Sequence, residues 1–291
     1  MIDFIRAQVV GIDPKSLLER PNLSFTQEVD VRTGELKKGR LIAEFKGLRL
    51  VYYEGSGSLI LLGSIHKFWN DGLHNYNDFT FADILEAQEK LFNELGLRFE
   101  NLRITRLEFG VNLQIKFIVS LVLDCILMHK GKRPSMNDFS GKGNFLLFRH
   151  DRFDLKVYDK GKQYHKGSEL IRIEVRHTNW TEFRKKGINT LSDVLNNGLD
   201  LLKMDLLKKW NDFLFFDLTN ENPSRPEYNS VFYWEKLKGK SLTTQKKHRD
   251  QLKRMNATEG TDLQNKLALE LVKKILELMN TREKKVLPLT A

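Results

Sequence analysis

The chain has one cysteine among its 291 residues. No disulfide can form within it, and a reducing compartment is the expected setting. Nor do any two histidines stand at the i, i+4 spacing of a zinc-binding helix, so a structural zinc site has nothing to build on. Apolar runs are short as well. The stretch "FIVSLVLDCILM" around Cys125 is interrupted by Asp124, follows Lys116, and falls short of the roughly 20 apolar residues that a membrane span needs. At the N-terminus, "MIDFIRAQVVGIDP" has an acid at position 3 and no long apolar core, so it reads as neither signal peptide nor anchor. A soluble, intracellular protein without a membrane partner is expected. Three common chemistries are missing too. There is no P-loop, no GxGxxG and no GxSxG, which argues against a Walker ATPase, a dinucleotide enzyme and an α/β-hydrolase.

What the sequence has in excess is positive charge. Lys and Arg number 48 against 38 Asp and Glu, a formal net charge of +10. That excess favours a polyanionic partner, nucleic acid first, although charge alone does not decide it. The 41% hydrophobic share and the length allow one large domain, or a domain with a smaller companion.

The first sixty or so residues read as antiparallel β: "NLSFTQEVDV", the turn "RTGE", "GRLIAEFKGLRLVYYE", the turn "GSGS" and "LILLGSIHKF". The helix "TFADILEAQEKLFNELG" follows, with Thr80 as N-cap and Leu85, Ala87, Leu91 and Leu95 roughly on one side. Next come a strand at 102–112, an apolar helix around 116–129, the loop "GKRPSMNDFSGKGN", and the strands "FLLFRH", "RFDLKVYDK" and "LIRIEVRH". This order indicates an α+β fold: a central antiparallel sheet with helices packed on one face. After "TLSDVLNNGLDLLKMDLLKKWNDFLFF", which reads as helical, three more helices and a frayed end "TREKKVLPLTA" are expected. The boundary falls near 190, giving a domain over 1–190 and a helical C-terminal region over 191–291.

Two strands repeat an Arg-x-Glu step. In "ITRLEFGV", Ile104, Arg106, Glu108 and Gly110 share a face by alternation, with Leu107, Phe109 and Val111 opposite. In "LIRIEVRH", Arg172, Glu174 and Arg176 lie opposite Ile171, Ile173 and Val175. If the strands are neighbours, two carboxylates converge on a basic surface. Such hard oxygen ligands suit Mg²⁺ or Mn²⁺, and the arginines suit phosphate. The alternative is a cross-strand Arg and Glu network that only satisfies a half-exposed face. A third strand, "RFDLKVYDKGKQYHK", places Asp154, Lys156, Tyr158 and Lys160 on the carboxylate side, with Lys162, Tyr164 and His165 just beyond. A phenol is a poor nucleophile until nearby cations stabilise its phenolate, which the surrounding lysines would do. Tyr158 can equally be an ordinary strand tyrosine among solvated lysines. His66 in "GSIHKFWN" and His74 in "GLHNYNDF" are the candidate imidazole ligands, with His177, His150 and His165 as substitutes.

Taken in order, "MIDFI", "GLHNYNDF", "ITRLEFGV", "LKVYDKGKQY" and "LIRIEVRH", followed by a helical tail, resemble the rolling-circle replication initiators of filamentous phages and related plasmids, a branch of the HUH-endonuclease superfamily. The resemblance spans roughly residues 1–190, and the specificity lies in the order and spacing of short motifs.

The resemblance implies a metal-dependent, origin-specific nickase and strand-joining enzyme acting through a 5′-phosphotyrosine, with Mg²⁺ or Mn²⁺ as cofactor. Tyr158 would attack, Lys160 or Lys162 would offset developing charge, and Glu108 and Glu174 would be acidic metal ligands with His66 and His74 as imidazole candidates. Arg106, Arg172, Arg176 and Lys156 would contact DNA. The implied partners are single-stranded or hairpin origin DNA and the host helicase and polymerase, in the cytoplasm of a bacterial host. The sequence departs from the superfamily's pattern in lacking His-hydrophobic-His, and Tyr164 stays open as the nucleophile. The preceding strand, where some relatives carry it, has Phe145 and Phe148. Two other readings stay open: a non-catalytic origin-binding initiator and a mobilisation relaxase. The tail "TTQKKHRDQLKRM" is basic enough to hold a duplex or hairpin backbone, or it is a solvated helical cap.

Overall fold

The computed structural model describes residues 1–36, 39–138, 144–165 and 167–280. The chain begins with β1 (Ile2–Val9), a short α1 (Lys15–Leu18), and the meander β2 (Arg40–Phe45), β3 (Leu48–Tyr53) and β4 (Ser58–Ser64). Two helices follow, α2 (Ile65–Trp69) and α3 (Phe81–Leu95), and then the long strand β5 (Leu102–Gln114). The next elements are α4 (Val119–Asp124), β6 (Ile126–His129), β7 (Ser135–Asp138), β8 (Asn144–Arg149), β9 (Phe153–Asp159), α5 (Lys160–Gln163) and β10 (Leu170–His177). The remainder is α6 (Thr181–Arg184), α7 (Leu191–Asp193), α8 (Leu199–Asn211), β11 (Phe213–Phe215), α9 (Val231–Leu237), α10 (Leu242–Glu259) and α11 (Leu263–Asn280). The class is α+β, and the sheet runs β2-β3-β4-β1-β5-β10-β9-β8-β7. No helix among the described residues is long and apolar enough to cross a membrane.

The residues form two compact units. Among the described residues, one draws on 1–110, 176–202 and 277–280; the other on 111–175 and 203–276. Both β5 and β10 therefore contribute residues to each unit.

In the first unit β2, β3, β4, β1 and β5 pair antiparallel in succession. Alternation buries Ala43, Leu48, Leu50, Leu59, Leu61, Ile5 and Ala7, while α2 rests on β1 and α3. Helix α3 starts where the sequence signals it. The Thr80 hydroxyl accepts the Asp83 amide at 3.3 Å, and the Asp83 carboxylate accepts the Thr80 amide at 2.7 Å, a reciprocal cap. Its buried face is Ile84, Ala87, Leu91 and Leu95, each leucine stabilising by about 1.5–3 kcal/mol relative to exposure. Leu85, expected on that face, is exposed, because Ile84 holds the i−3 position before Ala87.

Several expectations fail here. "NLSFTQEVDV" is not a strand: it makes only isolated bridges, Thr26 with Ile42 and Val29 with Leu36. β1 was not expected as a strand at all. "SIHKF" turns into α2 because Ser64 caps it, accepting the Lys67 amide at 3.0 Å, so His66 stands on a helix and not at a strand end. On β5 the pairing steps from Arg6 with Arg106 to Ala7 with Ile104, leaving Thr105 as an extra residue. That bulge reverses the alternation, so Ile104 is buried and Arg106 exposed, instead of sharing a face.

In the second unit β8 pairs antiparallel with β7 and β9, and β11 with β6. α4 packs on β8 and β9, covering Phe148, Leu155 and Val157. The single helix expected over 116–129 is split into α4 and β6, since β11 supplies a strand partner for Ile126–His129. Part of the loop expected after it is strand β7; residues 139–143 of that loop, and the tail from 281, lie outside the described residues. A separate core joins Leu127, Met128, Phe216, Tyr228, Trp234, Leu252 and Met255. The expected C-terminal helices are present as α8 to α11, with β11 cutting into the segment that reads as helical throughout.

Candidate metal and tyrosine site

Asp3, on β1, is buried and held from both sides. Its Oδ1 accepts the Ser64 hydroxyl, and its Oδ2 accepts the Asn75 amide at 2.6 Å. Ser64 therefore binds the carboxylate and caps α2 with the same oxygen, which fixes that helix against β1. The pairing of β1 with β5 slips between Ile2 and Ile5, so Asp3 sits in an irregular turn of the ladder. One step along α2, the His66 ring stacks on Phe79 with centroids 4.5 Å apart, and its Nε2 lies 2.8 Å from Asn77 Oδ1. His74 stacks on Tyr76 at 4.1 Å, and its Nδ1 is buried without a hydrogen-bond partner among the described residues. Glu108, on β5, is buried and accepts the Arg176 Nε of β10. Arg106 points elsewhere, exposed opposite Arg6.

The other unit builds the tyrosine. Glu174, buried on β10, accepts Arg172 Nε at 2.6 Å, and Arg172 Nη1 donates to Asn112 Oδ1 on β5 at 2.9 Å. Tyr158, at the end of β9, directs its hydroxyl toward the same Glu174 oxygen at 3.5 Å. The buried Lys160 ammonium donates to that hydroxyl at 3.4 Å and lies 4.8 Å from the Tyr164 ring centre. Lys156 covers the Tyr158 ring at 4.7 Å. Glycine at 161 makes the turn after Lys160 possible: a Cβ there would meet the Ser168 carbonyl oxygen at 2.0 Å. Asp159 caps that turn by accepting the Lys162 amide at 2.8 Å, and Lys162 itself extends to Asp159 at 3.7 Å.

Asp3, Glu108 and Glu174 each offer one carboxylate oxygen, and these oxygens lie within 4.8 Å of one another. The set is all oxygen, the donor chemistry of Mg²⁺ or Mn²⁺, and an ion of that size holds its ligand oxygens about 3–4.4 Å apart. Glu174 keeps its Oε1 without a hydrogen bond among the described residues. The donor set is therefore of the kind that a divalent cation takes. The structure thus brings Tyr158, Lys160, Lys156, Arg172 and Glu174 together, and places Arg176 on Glu108. His66 and His74 are not part of the acidic set.

Sequence reasoning passed over Asp3, reading it only as an obstacle to a signal peptide. A usable signal was there: position 3 shares parity with Ile5, Ala7 and Val9, so an acid stands at an inward place on an apolar strand. Asn112, in step with Glu108 and Gly110, was readable by the same rule.

No family model and no curated protein matches this sequence. Among solved structures, the rolling circle replication initiator protein from Geobacillus stearothermophilus is similar over 77% of this chain and 89% of that one, at 15% identity and a TM-score of 0.42. A likeness at that level leaves the chemistry to this chain's own residues.

Proposed function

We propose that this protein initiates rolling-circle DNA replication as a metal-dependent nickase and strand-joining enzyme. The observation that carries the reading is the Tyr158 hydroxyl, set 3.5 Å from a carboxylate of the acidic group and 3.4 Å from the Lys160 ammonium. Asp3, Glu108 and Glu174 would hold Mg²⁺ or Mn²⁺, which when bound draws electron density from the scissile phosphate. Tyr158 Oη attacks phosphorus while its proton leaves on the side of Glu174. The P–O3′ bond breaks, the 5′ phosphate stays on the tyrosine, and the leaving 3′ oxygen takes a proton from solvent to become the 3′ hydroxyl that primes synthesis. Lys160 offsets charge on the phenolate and on the attacked phosphate. Joining is the reverse attack by a 3′ hydroxyl, and it needs no nucleotide cofactor because the phosphotyrosine keeps the energy of the broken bond. Arg176, Arg106 and Lys156 would meet the DNA, the buried Arg172 would hold Glu174 in place, and His66 or His74 would complete the imidazole contribution. Nicking and joining are assigned to 1–190 and duplex holding to 191–291. Single-stranded or hairpin origin DNA, with a host helicase and polymerase, would be the partners in a bacterial cytoplasm.

A non-catalytic origin binder is the second reading, favoured by the 3% exposure of Tyr158. A mobilisation relaxase would share the chemistry. The test is to incubate the protein and Mn²⁺ with labelled single-stranded DNA of its own replicon and to look for an adduct stable in denaturant. Tyr158→Phe should abolish the adduct while leaving DNA binding nearly intact. An undiminished adduct moves the role to Tyr164, and strong salt-dependent binding without cleavage under any divalent ion favours the non-catalytic reading.

A further inference from the structure

A groove of about 220 Å³ runs along α10 in the second unit, away from Tyr158 in the chain and sharing no residue with its site. Lys246, Arg249 and Lys253 line it from α10, spaced so that they form one stripe of that helix. All three are exposed, and none forms an ion pair among the described residues. Across the groove stand Lys130 and Lys238, the latter laid over Gly131 with its Cε 3.3 Å from where a Cβ would be. Lys130 alone is answered, by Asp212 at 3.1 Å. Counting Asp212 and Asp250 against the five cations, the walls keep an excess of three positive charges.

We infer that this groove grips the phosphate backbone of duplex DNA, which deepens the proposed function by giving that reading's helical region a defined contact surface. From Lys246 to Lys253 the helix rises about 10.5 Å, matching about three phosphates along one strand at roughly 3.4 Å of axis each. The rings that line the groove are unsuited to bases: Phe213, Phe215 and Trp234 are 3%, 1% and 5% exposed, and the Trp234 indole N–H is already given to the Tyr228 carbonyl. Single-strand binders stack bases on open aromatic faces. With the three α10 cations unpaired among the described residues and the rings closed, the chemistry is that of backbone neutralisation, and it reads no sequence.

The test uses the full chain, a labelled duplex of arbitrary sequence and a single strand of equal length, with anisotropy read across a series of salt concentrations. The triple variant Lys246→Gln, Arg249→Gln, Lys253→Gln should flatten the duplex salt slope by about 2–3, near 0.9 per lost phosphate contact. Lys208→Gln, an exposed lysine on α8 outside the groove, should leave the slope unchanged. An unaltered duplex slope in a triple variant whose circular dichroism matches the parent overturns the inference, and an equal loss for the single strand overturns the duplex assignment. The single substitution Lys246→Glu, expected to weaken duplex binding in the same direction, keeps the test open if the triple variant fails to fold. Adduct formation on single-stranded DNA is scored separately, so failure of the tyrosine chemistry and failure of the groove read out independently.

Discussion

Arg172 and Glu174 stand two residues apart on β10 and hold each other as a buried ion pair, Nε to Oε2 at 2.6 Å, with side chains 4% and 7% exposed. A sheet edge facing water would not need this. Both groups have left solvent, so Arg172 depends on Glu174 and on the Asn112 side-chain Oδ1 for its missing hydration, and Glu174 depends on Arg172 and the Tyr158 hydroxyl.

Removing one partner should therefore cost more than a surface pair would. Arg172→Met is expected to lower unfolding stability by about 3–5 kcal/mol in chelator, because it leaves a buried carboxylate uncompensated. Urea unfolding with and without Mn²⁺ checks this. The loss should shrink when the ion is present, since a cation at Asp3, Glu108 and Glu174 would replace the missing positive charge. An equal loss in both conditions would count against metal binding there.

Lys160 is buried with its ammonium on the Tyr158 hydroxyl. Lys160→Met removes a cation that favours the charged phenolate, so adduct formation should slow and its pH profile should move to higher pH. If only the amplitude falls and the profile stays in place, the lysine's role is structural.

His129 is fully buried, 2.8 Å from His150, and burial pushes its imidazole down to about 4, with the His150 charge acting in the same direction. The unfolded chain takes up this proton near 6.5, and the folded chain only near 4. Between those values the unfolded state binds more protons, so stability should fall as the pH drops from about 6.5 to about 4, by up to about 3 kcal/mol. Denaturation midpoints measured across that window, parent against His129→Asn, should show the slope flattened in the variant.

The Cys125 thiol is buried, accepts the Leu218 amide at 3.4 Å, and is pushed up to about 12 by desolvation. Native protein should resist iodoacetamide at neutral pH and be alkylated only after unfolding, as intact mass would show. Rapid native labelling would mean that the core around β6 opens readily.

Much of the local structure was legible. The Thr80 cap, the course of α3, and the strands at β8, β9 and β10 follow from nearby residues: a hydroxyl three positions before an acid, and apolar side chains at periods of 3.6 or 2. Expectations failed where a distant partner decides. Residues 126–129 read as helix and became strand because β11, more than eighty residues later, pairs with them. Ile104 and Arg106 exchanged places through one extra residue that exists only in the pairing with β1.

The sequence by itself determined the class of the fold, the basic balance and the set of acids, lysines and tyrosines available for chemistry, because period and composition are properties of neighbouring residues. Tertiary structure alone decided that Asp3 joins the acids, that Glu174 faces Tyr158, and that Arg172 and Lys160 are buried instead of solvated. Register and burial come from which segments pair, and pairing depends on the whole chain at once.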